Sequence, residues 1–352
     1  MKNKIYINDL KAICEQELPW ENLQEKTLMI TGATGLIGRC LIDTLMMANH
    51  TKGLNTRVVA IARNKERLSE VFQEEIERGS VIALSHDVTE NFSERECPEK
   101  VDYILHLASN THPVAYATDP IGTITTNVIG LNNLLQLAKE KKIERFLFAS
   151  SVEIYGENRG DTEAFAEDYC GYIDCNTLRA GYPESKRVGE ALCQAYARQA
   201  NIDVVIPRLS RVYGPTMKVD DTKALSQFIK KAICKEDIVL KSAGTQFYSY
   251  TYVADAVSAL LYCLLCGKSG EAYNISDAAS DIHLKDLAAI LAEIAGTKVV
   301  FDIPDATEQA GYSKATTAVM DNTKMRQLGW QALTPIREGL KKTVDCCIEI
   351  EN

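Results

Sequence analysis

Residues 27–45 read TLMITGATGLIGRCLIDTL and carry glycines at Gly32, Gly35 and Gly38. Thr27–Thr31 has the apolar run of a strand, and Leu36–Met47 has apolar residues at helical spacing. A strand that turns on glycine into a helix is suited to a dinucleotide. Gly32 allows the tight turn, Gly35 lets backbone approach a pyrophosphate, and Gly38 lets the helix pack close to the sheet. Free N–H groups from Thr34 through Leu36 and Ile37 then hold the phosphates. A merely structural turn is the competing reading, and the strand–turn–helix context counts against it.

Further strands are expected at Arg57–Ala62, Val81–Ser85, Tyr103–Leu107, Phe146–Ser150 and Val204–Leu209. Helices are expected at 65–78, Thr123–Lys141 and Pro183–Gln199. Strands apolar throughout, alternating with helices, predict a parallel sheet covered on both faces, the doubly wound Rossmann α/β class. After about Tyr213 the rhythm changes to helices such as Ala224–Cys234 and Leu284–Ala295 with short strands between. This predicts a dinucleotide-binding domain over 26–212 and a smaller α/β substrate domain over 213–352. The latter is discontinuous, with 253–278 folding back onto the sheet through a helix at Asp255–Cys266 and a strand at Tyr273–Ser276. Residues 1–25 form a helical arm, its helix starting near Asn8 or Asp9, for packing or dimer contact.

The 352 residues are 46% hydrophobic and 25% charged, ordinary for a globular protein. A net charge of −9 argues against nucleic acid as the main partner. No apolar run is long enough to span a bilayer and no secretory signal opens the chain, so a cytoplasmic enzyme with free thiols is expected. The eleven cysteines are irregularly spaced. Cys263 and Cys266 form a CxxC inside an apolar helix, and they read as buried thiols rather than a metal site. Cys346 and Cys347 read the same way. No metal is expected.

The residue ending the second strand discriminates the adenosine ribose. An acid there favours NAD, and a nearby arginine favours NADP. Here the strand runs AIARNKERL, with Ala62 in the acidic place and Arg63 next. The cofactor reading is therefore NAD(P) with a lean to NADP, the competing reading being a solvated basic helix start. Asp87 and Val88, after the third strand, are placed at the adenine edge.

Tyr182-Pro-Glu-Ser-Lys186 is YxxxK opening a helix, so one turn puts both side chains on one face. A nearby ammonium is expected to lower the phenol pKa and let Tyr182 exchange protons with a hydroxyl or carbonyl. Upstream, FLFAS runs into SSVEIYG, where a serine hydroxyl beside Tyr182 can bind the reacting oxygen.

TGATGLIG, HLAS at 106–109, SSVEIYG, YPESK, PRLSRVYGP and YTYVADAV together resemble the extended short-chain dehydrogenase/reductase family over nearly the whole chain. Within it the chain resembles the nucleotide-sugar epimerases, dehydratases and UDP-glucuronate decarboxylase-like proteins. That resemblance implies a tightly held nicotinamide cofactor and oxidation of a sugar hydroxyl to a ketone. A second step and return of the hydride follow. It implies Ser151, Tyr182 and Lys186 as the catalytic set, Glu153 for the second step, and Leu107, Ala108, Ser109 and Leu209 against the cofactor. A homodimer through the 123–141 and 183–199 helices would fit the family, as would a role in polysaccharide biosynthesis.

The chain departs from the family pattern in several places. Val152 stands where the dehydratases have Asp and the decarboxylases Ser, and it cannot protonate a leaving group. Arg211 stands where Asn is common near the diphosphate, and Tyr248 replaces the arginine that usually precedes YVxD. Lys223 sits where a nucleotide-binding arginine often lies, and Arg179 is an attractive anion contact. Arg179, Arg211, Lys223 and Tyr248 are thus the substrate-side candidates. Arg211 pairing with a core acid, and Glu153 bonding only to backbone, are the competing readings. His106, Tyr155 and Tyr213 read as packing residues, and His112 as a loop hydrogen-bonder.

Redox-assisted epimerisation of a nucleotide sugar or activated polyol is favoured, with decarboxylation next. An NADPH-dependent carbonyl reductase and a non-catalytic cofactor-binding relative are the alternatives.

Overall fold

The protein is described by a computed structural model, in which residues 3–93, 97–111, 116, 118–217, 221–303 and 316–351 are described. Strands β1 (Thr27–Thr31), β2 (Arg57–Ala62), β3 (Val81–Ser85), β4 (Tyr103–His106), β5 (Arg145–Phe148), β6 (Ser150–Ser151) and β7 (Val204–Leu209) contribute to one sheet. Its order is β3-β2-β1-β4-β5-β7 followed by β11 (Ala272–Ile275), with β6 paired to β7, and all pairings are parallel. Leu28, Met29 and Ile30 have no exposed surface, which requires cover on both faces. Each such side chain contributes about 1.5–3 kcal/mol relative to exposure. The chain runs outward from β1 to β3, then crosses back to place β4 on the other side of β1. That reversal opens a crevice at the carboxyl ends of β1 and β4.

The helix after β1 runs Leu36–Lys52 and ends on Gly53 in the left-handed conformation. The expected helix over 65–78 is instead two, Lys65–Val71 and Gln73–Glu77. Phe72 between them is fully buried and leaves helical geometry (φ −120°, ψ 27°). Anchoring that ring in the core takes precedence over continuing the charged helix. The helix expected from Thr123 starts earlier, at Pro120 on an Asp119 cap. It passes through a π-turn at Thr126–Gly130 and continues as Leu131–Lys141. The YxxxK helix spans Gly181–Ala200.

The later strands β8 (Arg211–Tyr213), β10 (Phe247–Tyr252), β12 (Asp281–His283) and β14 (Thr317–Ala318) form a second sheet centred on β10. Strands β9 (Ile238–Leu240) and β13 (Val299–Phe301) pair separately. β8 lies parallel to β10 with Arg211 opposite Tyr250. The Val253–Cys266 helix is buried nearly all round. It packs against the Leu36–Lys52 helix and β7.

The first helix is Lys4–Cys14, capped by Asn3, four to five residues earlier than expected. The Asn3 side chain accepts from the N–H groups of Ile5 and Tyr6. Tyr6, Leu10 and Ile13 are buried in the main core. Tyr6 donates to Asp43 at 2.9 Å, and buried Asp9 accepts from Tyr252 at 2.6 Å and Lys342 at 2.9 Å. Lys342 belongs to the Ile336–Glu351 helix.

Cys263 is buried, but Cys266 of the same CxxC is exposed: it is the last residue of the Val253–Cys266 helix, where the chain leaves the core. Cys346 is buried and Cys347 half-buried. No cluster of His, Cys, Asp and Glu among the described residues could hold a metal, and no described helix is long and apolar enough to cross a membrane.

Candidate active site

The glycine turn sits at the switch point. Gly32 has φ +70°, and a Cβ there would stand 2.9 Å from the Ala108 nitrogen. A Cβ on Gly38 would stand 2.3 Å from the Gly32 carbonyl oxygen, so helix and turn touch backbone to backbone. Gly35 caps the Leu36–Lys52 helix with no side chain closing its N-terminus. Open N–H groups on a long helix, above glycines that leave no Cβ in the way, fit a dinucleotide pyrophosphate.

Thr31, at the end of β1, ties the two strands together. Its hydroxyl accepts from the Leu107 and Ala108 N–H groups, each at 3.1 Å, and so donates its own proton to His106 Nδ1 at 2.8 Å. His106 is fully buried, and burial, with the Lys186 charge second, pushes its pKa down to about 3. It is a neutral packed residue facing Phe148. Ser109 donates to Asn127 at 2.7 Å, Asn127 donates to Ser185 at 2.9 Å, and Ser185 donates to the Tyr182 carbonyl at 2.8 Å. The π-turn places Asn127 in this chain of contacts, which no spacing in the sequence signalled.

At the ribose end, Arg63 is exposed and its carbonyl accepts from Ser85. Asp87 is bonded by the Thr89 N–H and hydroxyl. Partial burial raises the Asp87 pKa, but those bonds and the charge of Arg63 outweigh it and the net shift is down. Val88 is buried against Gly130, and Leu209 is buried at the end of β7.

Tyr182 is 6% exposed, with Ser151 beside its phenol. The expected lowering of the phenol pKa is not found in the free protein. Burial pushes it up; the Ser151 hydroxyl and the Arg179 charge pull down but do not prevail. Lys186 is also buried. Its ammonium donates to the Ala149 carbonyl at 2.8 Å and lies 4.7 Å over the Phe148 ring. Without an adjacent acid, desolvation brings the Lys186 pKa down to about 7. The nearby Glu190 is bound to Arg208 and Ser150. Tyr155 accepts from Arg208 and stacks on Phe165, and Tyr213 lies in the core, so both pack as expected.

Glu153 follows Ser151 in a short turn, its N–H donating to the Ser151 hydroxyl at 3.3 Å. Its carboxylate accepts from Arg179 Nη2 at 3.0 and 3.2 Å. The partner is thus a side chain rather than the backbone. Val152 is buried and faces the core. Tyr116, absent from the sequence candidates, stacks on Tyr182 at 5.1 Å between ring centroids. The Arg179 guanidinium lies 5.8 Å from the Tyr116 centroid. Nothing in the spacing of its loop marked it, and His112 of that loop lies outside the described residues.

Arg211 lies 3.5 Å over the Tyr248 ring, and among the described residues no carboxylate pairs with it and its buried Nη1 has no hydrogen-bond partner. The core-acid reading of Arg211 therefore finds no support. Lys223 is 3.6 Å from Asp221 and 3.3 Å from the Thr111 hydroxyl.

Comparison with known proteins adds to this geometry. The model of the NAD dependent epimerase/dehydratase family matches residues 28–276. UDP-glucuronic acid decarboxylase 1 of Danio rerio is 31% identical over 320 residues, covering 91% of this chain and 72% of that protein. UDP-glucuronic acid decarboxylase 6 of Arabidopsis thaliana is 33% identical over 321 residues, covering 89% and 86%. Among solved structures, UDP-glucuronic acid 4-epimerase from Bacillus cereus, in complex with UDP-glucuronic acid and NAD, superposes with a TM-score of 0.77. It is 23% identical, over 93% of this chain and 100% of that one.

Proposed function

The chain belongs to the NAD dependent epimerase/dehydratase family, and from that footing we propose that it decarboxylates a nucleotide-diphosphate hexuronate through a transient ketone. The observation that carries this over epimerisation at a carbon beside the ketone is the Arg179–Glu153 pair. Epimerisation at a carbon beside the ketone needs a base to remove a carbon-bound proton, and Glu153 is committed to a guanidinium. Loss of carbon dioxide from a β-keto acid needs no base there. Val152 offers no acid for loss of water.

The Gly32–Gly38 turn, Asp87, Val88, Leu107, Ala108, Ser109 and Leu209 would hold a nicotinamide dinucleotide. That group, when bound, accepts a hydride from the sugar carbon and later returns it. Tyr182 takes the proton from the hydroxyl on that carbon, and Ser151 holds the same oxygen. Lys186, titrating near neutrality, steadies the phenolate as it forms. Once the oxygen is a ketone, the bond to the neighbouring carboxylate breaks. Its electron pair enters the enolate, carbon dioxide leaves, and the carbon takes one proton from solvent. Tyr182 then returns its proton to the oxygen as the ketone is reduced. Arg179, Arg211, Lys223 and Tyr248 line the side from which the sugar enters. Glu153 keeps Arg179 in place at the reacting end.

Two further readings rest on single observations. Arg63 beside the end of β2 supports a preference for NADP. Ile124, Ile129 and Val188 are 41–48% exposed on the two helices expected to form a dimer bundle, and Ile121 and Leu178 are more exposed still. An apolar patch of that kind supports a homodimer.

The test is mass spectrometry of UDP-glucuronate incubated with the purified chain and no added cofactor, in D2O. Loss of carbon dioxide with one carbon-bound deuterium gained is expected. A new retention time with the carboxylate retained would restore epimerisation, beside the ketone if one carbon-bound deuterium is gained and at the oxidised carbon if none is. Turnover only with added NADPH, and a gain of two hydrogens, would make the chain a reductase.

A further inference from the structure

Among the described residues no carboxylate pairs with Arg211. Its Nη1 is buried and has no hydrogen-bond partner among the described residues. Three other guanidiniums are matched: Arg179 by Glu153, Arg208 by Glu190 and Arg145 by Asp203. A buried nitrogen of a charged group left unpaired is costly, and the cost is relieved when an anion arrives.

The stack on Tyr248 fixes which part of Arg211 is available. Packing its planar face on the ring leaves the edge N–H groups free, the geometry that binds a carboxylate through two parallel bonds. The same Tyr248 phenol feels the charges of Arg211, Glu153 and Arg179, in that order of strength. The Tyr182 phenol feels Glu153 and Arg179 as well. Tyr248, which carries Arg211 on its ring, thus shares Glu153 and Arg179 as charged neighbours with Tyr182, whereas Lys223 is engaged by Asp221 and Thr111. Tyr248 lies on β10, which pairs with β8. The guanidinium reaches its ring from the neighbouring strand.

We propose that Arg211, held on the Tyr248 ring, binds the carboxylate of the sugar and so sets the preference for hexuronates over neutral hexoses. The inference rests on the nucleotide-sugar reading above. It assigns to β8 a contact that the sequence alone placed at the diphosphate.

Calorimetric titration of the full chain with UDP-glucuronate, UDP-glucose and UDP tests it. The wild-type chain is expected to bind UDP-glucuronate at least tenfold more tightly than UDP-glucose. Arg211→Gln is expected to abolish that preference with UDP affinity unchanged. Arg211→Lys, which keeps the charge but not the planar fork, is expected to lose most of it. Arg211→Asn with Tyr248→Arg is expected to restore it, which a merely structural role for Arg211 would not produce. Equal weakening of all three ligands by Arg211→Gln would make Arg211 a diphosphate contact and overturn the inference, as would an unchanged preference. No binding of any UDP species by the wild-type chain would remove the nucleotide-sugar reading, and this inference with it.

Discussion

Arg179 reaches across twenty-six positions of sequence to hold both carboxylate oxygens of Glu153, at 3.0 and 3.2 Å, within the cleft that contains Tyr182. Its guanidinium also faces Tyr116, which stacks on Tyr182. Acid, base and aromatic packing are thereby linked through one arginine. Glu153→Gln can still accept from Arg179, so carbon dioxide release is expected to fall less than about tenfold. A general base removed outright would cost on the order of 10²–10⁴. Initial rates of carbon dioxide release separate the two, and a loss near a thousandfold would return Glu153 to the role of proton carrier.

Tyr182→Phe removes the phenol proposed to exchange the hydroxyl proton. Turnover is expected to fall by about 10³, within the range for losing a positioned acid–base group. The Tyr116 stack should keep the fold intact, so near-ultraviolet circular dichroism should be unchanged. Activity within tenfold of wild type would require another proton acceptor.

Lys186 links stability to pH. Burial pulls its pKa down from 10.5 to about 7, so between those values the unfolded chain binds more protons than the folded one. Stability from this group therefore rises with pH across that window and is penalised below it. Lys186→Met removes the buried ammonium. Its melting temperature is expected to exceed wild type by several degrees at pH 6.5, with the difference shrinking towards pH 9. A difference independent of pH would mean that Lys186 is not held near neutrality. Turnover of this variant should be abolished at every pH.

Arg63→Ala tests the ribose end. The ratio of NADP to NAD released on denaturing the purified protein is expected to fall at least tenfold, as mass spectrometry of the released nucleotides would show. An unchanged ratio would leave Arg63 a solvated surface residue.

For the dimer, Val188→Glu puts a charge on one of the exposed apolar residues of the Gly181–Ala200 helix. Sedimentation is expected to show a monomer for this variant and a dimer for the wild-type chain. A wild-type monomer would mean that the patch serves another purpose.

The sheet was legible because its signals are local. The glycine turn fixed the switch point, and apolar runs such as Met29–Ile30 and Val58–Val59 report burial on both faces. Element ends were harder. Phe72 breaks a helix for a packing reason that charge patterning hides, and Asn3 begins one before its apolar face is evident. The Tyr182–Lys186 pairing was read from a spacing that one helical turn enforces, and Ser151 from its place at a strand end. The contacts of Arg179 with Glu153, of Arg211 with Tyr248 and of Tyr116 with Tyr182 join residues 26, 37 and 66 positions apart. No periodicity relates them; the fold alone brings them together.

Buried Asp9 bonds both Tyr252 and Lys342, the latter 333 positions away. The Lys4–Cys14 helix is short, and helices of that length are marginal in water without tertiary partners. On the ribosome it therefore waits through the synthesis of nearly the whole chain before its polar anchor can form. At about 5–20 residues per second that wait lasts tens of seconds. Until then its apolar face has the Leu36–Lys52 helix, through contacts such as Tyr6 with Asp43, but not the later elements to pack against, and a stalled or truncated chain would display the part they cover.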